Sequence, residues 1–151
     1  MCVNLRKKRR AALFAQLSEF FTALASFSEI APRDAAETVG RLARTRNFGL
    51  LGFLKPFADR SQNADVREAW RRETAAFPGA ALLSGGERAL LEGFADHFGL
   101  TSLSTFTQAC RRYAEAFAGY HAKEKRNYEE TGRLTAGVGV LAAALIVIAL
   151  V

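Results

Sequence analysis

The stretch LFAQLSEFFTALASF, Leu13–Phe27, decides how this chain reads. Leu13, Leu17, Phe20, Leu24 and Phe27 recur at spacings of four and three, and Phe14 and Phe21 widen the same stripe. At about 3.6 residues per turn, these positions share one side of a helix. Nothing breaks that helix before Pro32, which pushes Ala31 out of helical geometry. Pro32 suits the first turn of a second helix carrying Ala35, Ala36, Val39 and Leu42.

The same period continues downstream. NFGLLGFLKPF reads as a short, less regular helix that Pro56 ends or restarts. A fourth helix is expected from Asp65, as N-cap, to Phe77, with Val66 and Trp70 on its apolar side and PGA at Pro78 stopping it. Ser84 and Glu87 have the spacing of a capping box ahead of Leu90, Leu91, Phe94 and Phe98, and Gly99 follows as a stop. The last helix begins near Ser102 or Ser104, with Leu103, Phe106, Cys110, Tyr113, Phe117 and Tyr120 in register. No proline interrupts it to the end of the chain, and Gly132 is the place where it would bend. The expected fold is an all-α antiparallel helical bundle whose long C-terminal helix continues into a transmembrane span.

That span is LTAGVGVLAAALIVIALV, Leu134–Val151, eighteen residues without a charge. As a helix it would cover about 27 Å, close to the roughly 30 Å of a bilayer's hydrocarbon core. Leu134, Ile146 and Ile148 favour insertion, whereas a central Lys or Arg would cost about 3 kcal/mol; none follows Arg133. Thr135, Gly139 and Ala143 recur every fourth residue, a small-residue face for another helix or a second copy. Lys123, Lys125, Arg126 and Arg133 precede the span, so the positive-inside rule places the body in the cytoplasm.

At the other end stands a run of cations: Arg6, Lys7, Lys8, Arg9 and Arg10. The chain has 151 residues, 21 Lys and Arg against 15 Asp and Glu, and a net charge of +6. Such a run attracts phosphates, whether in anionic headgroups or in nucleic acid. The apolar tail favours a topology determinant that contacts headgroups; a solvated helix start is the plain alternative. Nucleic acid lacks support, since no aromatic interleaving or recognition helix accompanies the run. The division is then a basic segment over 1–12, a helical body over 13–130 and a span over 131–151.

No residue set carries catalysis. His97 and His121 are too few to make a metal site, and Cys110 lies on an apolar stripe despite Arg111 and Arg112 beside it. SGGE at Ser84 is too short for a phosphate loop. Cofactor and metal are both expected to be none. Two unpatterned cysteines give no disulfide framework. Trp70 with Arg67 and Arg71 is either an inward anchor or part of a partner surface.

The order of these features resembles stage III sporulation protein AB. The resemblance rests on LSEFFTALASFSEIAPRDAAETVGRLAR with its Glu29–Ile30 pair, on Trp70, on LLSGGERALLEGFADHFGL, on Gln108, and on a basic neck before GVGVLAAALIVIAL. That family is similar in turn to the cytoplasmic helical domains of type II secretion F proteins. The resemblance implies a non-enzymatic scaffold in the mother-cell membrane around the forespore, beside an ATPase-like protein and polytopic membrane subunits. Members usually carry a further transmembrane helix before the basic run, where this chain has only MCVNL. A truncated start or a single anchor is therefore expected. The rival reading is a lone tail-anchored regulator whose basic face meets anionic lipid or nucleic acid.

Overall fold

A computed structural model describes residues 2–30, 34–98 and 102–150, with side chains described over 5–30, 34–98, 102–127 and at 129. All regular structure among them is helical. Two long helices, α1 (Cys2–Ile30) and α6 (Leu103–Leu150), enclose four short ones in sequence: α2 (Ala35–Thr45), α3 (Leu54–Arg60), α4 (Val66–Ala76) and α5 (Gly85–Gly93). Short 3-10 turns follow α4 at Pro78–Leu82 and α5 at Phe94–His97.

α1 and α6 share the largest interface and run antiparallel. The pairing can be read off in order: Ala11 with His121, Phe14 with Phe117 and Tyr120, Ser18 with Ala114, Phe21 with Tyr113, Glu29 with Arg111. The apolar stripe of α1 makes this possible: Leu13, Phe14, Leu17, Phe20, Phe21 and Leu24 are all fully buried, and Phe27 half so. The short helices close over the other side of that stripe. At their centre Trp70 packs against Phe53, Phe57, Phe94 and Phe98 at 5.2–5.3 Å between ring centroids, with Phe20 and Phe21 behind at 6.4 Å. Edge-on and tilted geometries dominate, as the ring quadrupoles favour.

Local capping sets the boundaries. The α5 capping box forms: the Ser84 hydroxyl accepts from the Glu87 N–H, and the Glu87 carboxylate accepts from the Ser84 N–H at 2.8 Å. Asp65 caps α4 and Ser102 caps α6 through their side-chain oxygens. Three expectations change. α2 starts at Ala35 because the Asp34 carboxylate accepts from the Ala36 N–H; Pro32 lies outside the described residues. α3 keeps Pro56 inside its first turn, where a missing N–H costs nothing. α5 ends at Gly93, and the tighter turn after it lets Phe94, Ala95 and Phe98 all enter the core; Gly99 lies outside the described residues.

α6 is one helix of 48 residues, so no element boundary falls at Gly132. Among the described residues, no helix is long and apolar enough to cross a membrane. The expected span, with Leu134, Gly139, Ala143, Ile146, Ile148 and the flanking Arg133, lies outside the described side chains.

Candidate interaction surfaces

The basic run is not a separate segment ahead of the body. It is the opening of α1, and helical geometry divides its cations. Arg6 and Arg10, four apart, face the turn at Pro78–Leu82. Arg6 donates to the Ala81 carbonyl at 3.1 Å, Arg10 donates to that of Leu82, and Arg88 from α5 donates to that of Ala80 at 2.8 Å. Three consecutive carbonyls at the slightly negative end of a short helix are thus met by three guanidiniums, that of Ala80 accepting from the Leu83 N–H as well.

Arg10 goes further. It lies 3.1 Å from both Glu87 carboxylate oxygens and 3.5 Å from Glu124 of α6, and its guanidinium sits over the Phe14 ring. Burial alone would push the Glu87 carboxyl up, but hydrogen bonds from Arg10 and Ser84 and the Arg10 charge outweigh it and hold the carboxyl below its ordinary range. This junction ties α1, α5 and α6 together at one point. The expectation that Arg10 contacts headgroups is corrected: its charge is spent inside the protein. Glu124 continues the inward register Phe117, Tyr120–His121, Glu124. An acid in phase with an apolar stripe was the available signal.

Lys8 and Arg9 point outward, and Lys7 is half-buried. Across the pair, Lys123, Lys125 and Arg126 are also exposed. Beside Arg9 runs a groove of about 550 Å³ lined by Leu13, Leu50, Gly52, Pro78 and Leu82.

The surface proposed around Arg67, Trp70 and Arg71 does not form as such. Trp70 is fully buried, donating its indole N–H to the Leu91 carbonyl at 2.8 Å, so it cannot meet a partner. Arg67 donates to the Phe98 carbonyl at 3.2 Å and Arg71 pairs with Asp96, both at the surface of the same core. Cys110 packs in the core, and burial pushes its thiol up to about 12. His97 lies in the turn after α5; burial first, then the nearby Arg112, lowers its pKa against a smaller opposing effect of Asp96. Among the described residues, no group of three or more His, Cys, Asp or Glu side chains could hold a metal ion.

The geometry defines a class: a small all-helical module in which two long antiparallel helices, α1 and α6, pack with four short ones. The chain belongs to the stage III sporulation protein AB family, whose model matches residues 1–151, and it takes part in stage III of sporulation. No curated protein and no solved structure matches the chain.

Proposed function

We propose that this protein is a membrane-anchored, non-enzymatic scaffold of a sporulation complex. The apolar residues from Leu134 to Val151 cross the bilayer. The helical body, a bundle of the type II secretion F kind, stands on the cytoplasmic side of the mother-cell membrane and presents its faces to an ATPase-like protein. The small-residue face of Thr135, Gly139 and Ala143 packs on polytopic subunits or on a second copy.

One observation carries this reading. α6 begins as a core element, with Phe106, Cys110 and Phe117 buried, and continues as the same helix to Leu150. A scaffold needs such rigid coupling, because a helical rod transmits the position of the anchor to the body without a hinge. The apolar composition of its last eighteen residues supports a span. The family's place in sporulation favours a complex over a lone regulator.

Deleting Leu134–Val151 and fractionating sporulating cells tests the anchor. The whole chain should sediment with membranes and resist extraction by salt and alkali, while the shortened one should be released. Retention of the shortened chain in the membrane fraction would remove the basis for the proposal.

A further inference from the structure

The two ends of the body's sequence, more than a hundred residues apart, deliver cations to the same place. Arg10 meets Glu124 and Ala11 meets His121, so in an antiparallel pair the turn of α1 before Arg10 lies alongside the turns of α6 after Glu124. Lys8 and Arg9 therefore share one level with Lys123, Lys125 and Arg126, all five exposed. None of these five has a carboxylate partner among the described residues. The two acids buried nearby, Glu87 and Glu124, are both turned inward onto Arg10. Among the described residues, the exposed acid of α6 at this level is Glu129, against five cations.

We infer that these residues form a single cationic collar around the foot of the body, which binds the anionic phospholipid headgroups of the membrane. The inference rests on the anchored reading for the collar's height. Arg126 precedes Leu134 by eight residues, about 12 Å of helix. The headgroup layer and a Debye length of about 8 Å span that gap together, and long Lys and Arg stems reach further into it. The collar does two things that a span alone cannot. It makes attachment depend on lipid charge, and it holds α1 and α6 at a fixed height, so that the body cannot lift or tilt freely about its rod. Arg10 is excluded from lipid contact and acts as the internal clamp that keeps the two clusters side by side.

The test uses the full chain, reconstituted from detergent into vesicles of phosphatidylcholine alone or of phosphatidylcholine with phosphatidylglycerol. Flotation reports the span, and amide hydrogen exchange over residues 5–12 and 119–127 reports the collar. Exchange there should be slower on the anionic vesicles, and high salt should restore it. Substituting Lys8→Gln, Lys123→Gln and Arg126→Gln, all at exposed positions, should weaken the seating by about fivefold per cation removed. A chain that floats with both vesicle types and exchanges equally on both refutes the collar and leaves the anchor standing. A chain that floats only with anionic vesicles and leaves them in high salt refutes the anchor and keeps the collar. The same protection from inorganic phosphate or a single-stranded oligonucleotide, in detergent without vesicles, would overturn the assignment to lipid.

Discussion

Two of the regions that hold α1 to the rest of the protein use opposite chemistry. Around Trp70, six aromatic rings meet, from α1, from α3 with its N-cap and from the turn after α5, with no charge inside the cluster. Around Arg10, one guanidinium meets two carboxylates and a backbone carbonyl, with 19% of the arginine side chain still exposed. Apolar burial stabilises in proportion to the area removed from water and is indifferent to direction. An ion pair gives back most of its Coulomb gain in desolvation, but its geometry is specific. The labour is divided: the aromatic cluster supplies stability, and the ionic junction sets how the foot of the two long helices is arranged.

The largest expected effect would break that comparison if it failed. Trp70→Ala should cost about 3–5 kcal/mol, a large part of the roughly 5–15 kcal/mol that a domain possesses. Trp70→Phe keeps a ring but removes the indole hydrogen bond to the Leu91 carbonyl, which still accepts from the Phe94 N–H, and should cost about 0.5–1.5 kcal/mol. Denaturant unfolding of the detergent-solubilised chain, followed by circular dichroism, gives both. A Trp70→Ala protein as stable as the parent would show that the cluster is not what holds the fold.

Arg10→Gln comes next. It leaves Glu87 and Glu124 facing each other without a cation, at a partly buried site, and should cost about 2 kcal/mol at neutral pH. The pH dependence sharpens the assignment. Because the folded Glu87 pKa lies below its unfolded value, its contribution is complete above the unfolded value and is lost as pH falls through the folded one. The stability gap between parent and Arg10→Gln should thus be constant at neutral pH and shrink only in the acid range. His97 adds a separate loss that begins near its unfolded pKa, as the unfolded chain takes up a proton first. This loss is the same in both proteins and cancels in the difference. A gap that is flat down to acid pH would assign the cost of the substitution to packing on Phe14 instead.

How much of this was legible in the sequence follows the same line between apolar and ionic. The α1 stripe, the Ser84–Glu87 capping box and the core place of Cys110 could all be read, because each depends on spacing within one helix. The direction of Trp70 was legible only in part: one ring at helical spacing favours an inward anchor, which holds, but Arg67, Arg71 and Arg72 beside it also suit a surface. The split of the basic run could not be read. Which cations turn inward depends on the carbonyls of Ala81 and Leu82, brought back from more than seventy residues away. The end of α5 was misplaced for a similar reason: burying Phe94, Ala95 and Phe98 together requires a tighter winding than the local pattern specifies.

The smallest expected effect compares the two regions at single methyl resolution. A side chain added at Gly119, on the exposed face of α6 near the foot, would meet nothing within 4 Å. Gly119→Ala removes backbone freedom from the unfolded chain and should stabilise by about 0.5–1 kcal/mol. At Gly40, buried where α2 packs on α3, the same methyl would come within 3.2 Å of the Ala58 Cβ. That Cβ is fixed to its backbone and cannot rotate away, so one helix must shift, which opposes and should exceed the gain in propensity. Gly40→Ala is therefore expected to lower the unfolding midpoint and Gly119→Ala to raise it. If both raised it, the α2–α3 contact would have enough slack to take a methyl, and the tight approach of Gly40 to Ala58 would not limit how those two helices pack.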